Sequence, residues 1–387
     1  PHAVRHIIDS LRWWVEVIGV DGFRFDLATA LYTSDTAFNS SLMSAIESDS
    51  VLRNFKMIAE PWDVTRYSLG DFPHPWREWN DAYRDSVRQF WLGDLARGYG
   101  EGVADIASRI SGSSDIFYYR GPTSSINFIT AHDGFTLADL VMYQDKHNGP
   151  NQEDSKDGHN DNRSWNLGVE GPSDDPLVKA HRHQLKKSMM ATLLLSSGVP
   201  MMTMGDEIGR TQNGSNNGYS LPRDMSPLME DSEANFMGGW ANKWKLNEEE
   251  QDLFDSISEL AHIRKQYLEG VAHEFFTGTV DAGTKRKDIA WFSLGGHEMH
   301  EDHWQDGEKR SLTVFIEAGS ERGLLLLLNS SKSATPFTLP DENWGHSFRR
   351  IFDAATPVQI HEPIIRPPAS KVDVAAHCAQ VWLVTRN

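Results

Sequence analysis

The stretch Val20-Asp21-Gly22-Phe23-Arg24-Phe25-Asp26-Leu27 alternates apolar and polar residues and reads as a strand. A helical pattern leads straight into it. Val4, Ile7, Ile8, Leu11, Trp14, Val15 and Ile18 fall on one face at helical spacing, with Pro1 suited to a first turn and Gly19 to the stop. Helix, tight glycine turn and strand make half of a βαβ unit. Arg24 and Asp26, two apart on that strand, share one face.

Further strands repeat the design. Lys56–Glu60 is followed by Pro61-Trp62, Ile126–Ala131 by His132-Asp133-Gly134, and Val199–Met204 by Gly205-Asp206-Glu207. A strand is also read at Trp79–Arg84. Helices are expected at about 177–197 and 247–268, and polar loops at 144–176 and 211–231. Strand, acidic residue at its carboxyl end, then loop is the arrangement of a (β/α)₈ barrel, whose catalytic groups sit at those ends. After Gly270 the pattern changes to short strands, at 289–294, 311–316, 324–329 and 380–384, separated by turns. The expected division is 1–272 in the barrel and 273–387 in an antiparallel β-sandwich.

Composition narrows the function. The chain has 387 residues, with 37 basic and 55 acidic, for a formal charge of −18. Such a surface repels phosphate backbones, and the densest basic stretch, Lys285-Arg286-Lys287, is too short to reverse that, so no nucleic-acid partner is expected. Cys378 is the only cysteine, which excludes an internal disulfide. No apolar run approaches the roughly 20 residues of a membrane span. There are 13 tryptophans, and flat aromatic faces suit sugar rings as well as protein cores.

The candidate chemistry lies at the strand ends. A guanidinium such as Arg24 beside Asp26 favours a charged carboxylate, or simply forms a structural ion pair. Glu60, between an apolar strand and Pro61-Trp62, is placed to have a raised pKa suited to a general acid; an exposed, ordinary glutamate is the alternative. His132 and Asp133 can donate to and accept from hydroxyls, although Asp133 could also cap a helix near Phe135. Three carboxylates at successive strand ends fit retaining glycoside hydrolysis.

These segments resemble a known family. Gly22–Asp26, Ala59-Glu60-Pro61-Trp62 and Thr130-Ala131-His132-Asp133 are similar, in order, to conserved regions of the α-amylase superfamily, glycoside hydrolase family 13. Lys146-His147-Asn148, Asp157–Asn166, Gly168–Pro172 and Gly205–Gln212 narrow the resemblance to glycogen debranching enzymes of the GlgX and isoamylase type. The resemblance implies hydrolysis of α-1,6 branch linkages in glycogen or limit dextrin. Asp26 would be the nucleophile, Glu60 the acid/base and Asp133 the stabiliser of the transition state. Arg24, His132, Trp62, Asn80 and Asp81 would bind substrate. It implies α-glucan as the partner, no cofactor, no metal and a cytoplasmic setting. An α-1,4-acting amylase or glucanotransferase, and an inactive glucan-binding fragment, are the alternatives.

Two departures accompany it. The stretch Gly214–Pro227 lacks the Trp that the family carries there. The family's N-terminal sandwich and first three barrel strands have no counterpart, so only strands four to eight are expected. The Glu153–Ser164 stretch has a glycine where a calcium loop needs one but ends in Ser164, and calcium is discounted. His297, His300 and His303 are read as a polar loop.

Overall fold

Gly19 adopts φ 83° and donates its N–H to the Trp14 carbonyl at 3.0 Å, ending the first helix where the sequence places the stop. The computed structural model describes residues 2–31, 40–151, 153–220, 245–319, 321–358 and 363–386. The first helix runs His2–Trp13 and finishes in a wider turn over Trp14–Ile18. Val15 is buried, with Val4, Ile7, Ile8 and Leu11 packed beside it. Trp14 and Ile18, expected on the same face, stand half exposed. A wider turn holds more residues than an α-turn, and it rotates the side chains beyond it off the buried stripe.

Five strands then form one parallel sheet: β1 (Gly22–Phe25), β2 (Lys56–Ala59), β3 (Arg77–Asn80), β4 (Ser125–Phe128) and β5 (Val199–Met201). Phe25 pairs with Ala59, Ala59 with Glu78, Asn80 with Asn127 and Phe128 with Met201, so the carboxyl ends lie almost level. The strand read at Trp79–Arg84 needs correction. It stops at Asn80, which caps the helix Asp81–Arg88 by accepting a hydrogen bond from Tyr83 N at 2.9 Å. β4 and β5 also end before residues 131 and 204, because pairing with the neighbouring strands stops at Phe128 and Met201.

Two long helices pack against each other. Pro176–Leu195 starts with proline in its first turn, capped by Asp175, and Glu248–Tyr267 starts with a reciprocal capping box between Asn247 and Glu250. The chain continues as β6 (Ile289–Phe292), β7 (Ser311–Glu317), β8 (Arg322–Asn329), β9 (Thr335–Thr338), β10 (Ser347–Asp353), β11 (Ile365–Arg366), β12 (Lys371–Val374) and β13 (Cys378–Thr385). Six of these make an antiparallel sheet in the order β11-β10-β13-β8-β7-β6, and β12 pairs with β9. The leucine run Leu324–Leu328 at its centre is buried throughout. One hydrophobic cluster joins that run to Leu185, Met189 and Leu193 of the helix Pro176–Leu195.

Ser188 is the polar stitch in that apolar contact. Its hydroxyl donates to the His377 carbonyl at 3.0 Å and accepts from Ala379 N at 3.0 Å. Ser188→Ala strands a buried N–H and is expected to lower unfolding stability by roughly 1–3 kcal/mol. Denaturant unfolding checks this, with the exposed Lys179→Ala as a control expected within about 0.5 kcal/mol of the parent.

Candidate active site

The carboxyl end of β2 passes directly into Glu60, which is only 4% exposed. Its Oε2 accepts the Leu27 N–H at 2.6 Å, and its Oε1 lies 3.0 Å from Arg24 Nη2. The backbone repeats the connection: Glu60 N donates to Phe25 O, and Ala28 N donates to Glu60 O, each at 3.0 Å. Leu27 sits in the left-handed region at φ 43°, unusual for a branched side chain.

Arg24 joins the two carboxylates. Nη1 pairs with Asp26 Oδ1, and the guanidinium lies 4.1 Å from the centre of the Trp79 ring. The Asp26 side chain is 71% exposed, open to whatever occupies the strand ends. Burial raises the Glu60 carboxyl above its ordinary 4.5. The Leu27 N–H and Arg24 pull it back, while the fields of Asp26 and Asp133 push it up. The same interactions place Asp26 and Asp133 within electrostatic reach of Glu60.

Asp133 borders two adjoining clefts. One, of about 230 Å³, is walled by Trp62, Trp79, Asp81, Arg84 and His159. The other, of about 300 Å³, runs on past Lys156, Asp157, Asn217 and Tyr219. Asp133 and His159 belong to both. Asp81 is held by Tyr67, whose hydroxyl donates to Oδ1 at 2.8 Å, and burial raises the Asp81 carboxyl. His132 stands against the Trp79 ring, 5.8 Å between centroids, with Nδ1 3.6 Å from Asp133 Oδ1. Asp133 does not cap a helix: Thr136 does that for the short helix Leu137–Leu140.

All eight residues expected at the site stand at or just beyond these strand ends, but Asn80, the last residue of β3, does not line the clefts. It is fully buried, donating to Ser113 Oγ at 3.1 Å and Ser125 Oγ at 2.9 Å while capping its helix, so no ligand can reach it. Its polarity is spent on the fold.

Several participants escaped the sequence reading. Arg84 and Trp79 wall the cleft from the β3 end, and His159 enters from the long loop. Burial, followed by the fields of Arg84 and Arg88, lowers the His159 pKa. Behind the cleft, Arg88 donates to Ile129 O at 2.8 Å and Asn162 O at 3.3 Å. The polar loops are knitted by buried asparagines. Asn216 Nδ2 donates to His159 O at 2.7 Å and to Asn162 Oδ1 at 2.9 Å, and Asn148 Nδ2 donates to Asn216 Oδ1 at 2.8 Å. Within the stretch discounted as a calcium loop, Asp157 accepts from Asn217 Nδ2 at 2.9 Å and Tyr219 OH at 2.8 Å. The family departure at Gly214–Pro227 lies outside the described residues beyond Ser220.

Asp206 supports the Asp133 turn from below. Fully buried, it accepts from Thr130 Oγ1 and from Leu137 N at 3.0 Å, on both sides of His132-Asp133. Burial raises its pKa to about 6, against 3.8 in the unfolded chain. As pH climbs from about 4 to 6, the unfolded state releases this proton first, and stability is lost until the folded carboxyl has also ionised. Urea unfolding is expected to show a loss on the order of 1–3 kcal/mol over that window, missing in Asp206→Asn. For Glu60, carbon NMR is expected to find titration above 4.5. Removing one of the negative charges that raise it, with Asp133→Asn, shifts that titration to lower pH.

Comparisons with known proteins follow the same outline. Residues 288–386 match the isoamylase C-terminal family. The glycogen operon protein GlgX homolog of Mycobacterium tuberculosis (strain ATCC 25618 / H37Rv) is 40% identical over 377 residues, covering 92% of this chain and 50% of that protein. The glycogen debranching enzyme of Erwinia tasmaniensis is 37% identical over 350 residues, covering 89% of this chain and 48% of that protein. The chain thus spans about half the length of the curated relatives it matches. Among solved structures, pullulanase from Bacillus acidopullulyticus superposes with a TM-score of 0.64 at 19% identity, covering 99% of this chain and 40% of that one. Pullulanase from Anoxybacillus sp. LM18-11, crystallised with maltotetraose, gives 0.61 at 18% identity over 98% and 46%. At that identity these two share the fold.

Proposed function

The chain belongs to the GlgX type of glycoside hydrolase family 13, and we propose that it carries the site of a retaining hydrolase of α-1,6 branch linkages in glycogen and limit dextrin. The observation that carries this reading is the trio Asp26, Glu60 and Asp133 at parallel strand ends, the buried Glu60 lying in the fields of the two open carboxylates.

In the proposed reaction Asp26, the exposed carboxylate, attacks the anomeric carbon. Glu60, kept protonated to higher pH by burial, donates to the departing glycosidic oxygen and later takes a proton from the water that attacks the anomeric carbon and displaces Asp26 from it. Asp133, with His132 beside it, grips ring hydroxyls as positive charge develops on the sugar. Arg24 holds both Asp26 and Glu60 in place, and Trp62 and Asp81 line the cleft that receives the chain. Asn80 drops out of the substrate contacts.

The five parallel strands are proposed as the last five of a (β/α)₈ barrel within residues 1–272, followed by a β-sandwich over 273–387. A cytoplasmic setting remains part of the proposal. No described helix is long and apolar enough to cross a membrane.

The test is release of linear chains from limit dextrin by the protein that carries these residues, with linkage and anomer analysis of the products. The expected result is loss of α-1,6 linkages with the α-configuration retained. Asp26→Asn is expected to reduce release to background, and Glu60→Gln to slow it by roughly 10²–10⁴-fold. Debranching that survives in Asp26→Asn would sink the nucleophile assignment, and loss of α-1,4 linkages alone would sink the branch specificity.

A further inference from the structure

The C-terminal sheet carries a cleft of its own, far along the sequence from the carboxylate trio. Three turns meet over its edge strand β6. The first is the tight loop between the bridged residues Val280 and Lys287, in which Asp281 accepts from Gly283 N at 2.9 Å and Thr284 N at 2.7 Å. The second folds back after β6, with Ser293 N donating to His297 O at 2.9 Å. The third is Asp341–Trp344, closed by Trp344 N donating to Asp341 O at 3.1 Å. Between them lies a cleft of about 400 Å³. That falls within the roughly 300–1,000 Å³ of small-molecule sites.

The cleft's charge decides what it can hold. Lys285, Arg286 and Lys287 line it, the basic triplet that stood out in the sequence. Each positive charge is offset, however. Lys287 pairs with Glu298, Arg286 Nη2 lies 2.5 Å from Glu317 Oε1, the charge of Lys285 acts on Asp281, and Asp341 also lines the cleft. Three cations against four carboxylates leave no net attraction for a phosphate or sulfate. They leave donors and acceptors side by side, which matches a neutral ligand carrying many hydroxyls.

Two further features point to a ligand. Arg286 is 2% exposed, yet its Nε has no hydrogen-bond partner among the described residues. A buried N–H of that kind is normally satisfied by water or a bound group. Trp344 forms one wall and cannot turn away: Phe292 meets it edge-on at 4.9 Å and 88°, and Phe315 at 5.1 Å and 67°. A fixed aromatic wall beside paired polar groups is the chemistry of a sugar site.

We propose that this cleft is a second, non-catalytic site for a segment of neutral α-glucan. The identity of the glucan rests on the function proposed above. A branched polymer held here would stay at high effective concentration near the carboxylate trio, raising the apparent affinity for polymer without altering the chemistry.

Calorimetric titration of the protein that carries these residues, with maltoheptaose and then with glycogen, tests it. Lys285→Ala combined with Asn343→Ala strips exposed side chains from the cleft without touching the core, and Trp62→Ala disables the strand-end cleft. The expected result is two sites for maltoheptaose, one lost in each variant, and an affinity for glycogen at least about tenfold weaker in the double variant. A single site, lost in Trp62→Ala and untouched by the double variant, overturns the proposal while leaving the proposed function standing. Inorganic phosphate binding in place of maltoheptaose, abolished by the double variant, overturns the neutral-ligand argument. Absence of glucan binding at both sites sinks this proposal together with the reading it rests on.

Discussion

Everything at the strand ends depends on the burial of Glu60. One carboxylate, almost without water, accepts the Leu27 N–H and faces Arg24, while its own backbone bonds to Phe25 at the end of β1 and to Ala28 beyond the turn. These contacts tie the ends of β1 and β2 together and fix the turn that presents Asp26. The same burial raises the pKa of Glu60, so the constraint that shapes the turn also sets its acidity. Arg24 limits that rise and orients Asp26, and its guanidinium rests on Trp79, carrying the order on to β3.

A second layer keeps Asp133 opposite that pair. Asp206 holds Thr130 and Leu137, Arg88 holds Ile129, and Gly134 N donates to Asn216 O at 2.8 Å. These partners come from separate elements, and most are buried. A cleft made of loops is ordinarily mobile; here its backbone is bound by amides and guanidinium groups that have little access to water.

What the sequence revealed follows from the range of the forces involved. The first strand, the Gly19 stop and both long helices are local patterns, and they appeared close to where they were read. The trio of strand-end residues was legible because strand and carboxylate lie adjacent in sequence. Asn80 was misread for a local reason with a distant cause: capping and substrate contact use the same amide, and only the positions of Ser113 and Ser125 separate them. Asp206 stood out only as an acidic residue after a strand, not as a support for the Asp133 turn, and Arg88 gave no signal at all. Their partners lie 76 and 41 residues away, beyond any periodicity. Trp14 and Ile18 left the predicted face because one widened turn changed the phase of the helix.

The parallel sheet itself makes the last physical demand. Such sheets are stable when both faces are covered and the edges paired. β4 is buried at every residue, whereas β1 and β5 are only half buried along their whole length. Each pairs on one side alone among the described residues. Large apolar side chains stand exposed at the same two flanks: Trp13, Trp14, Val17 and Ile18 before β1, and Met202 and Met204 after β5. Exposed apolar area of this kind, contiguous with an unpaired strand, belongs to a surface meant to be covered. In the proposed barrel both edges are the places where further strands pair. The burial gradient across the five strands therefore supports closure on physical grounds separate from sequence likeness.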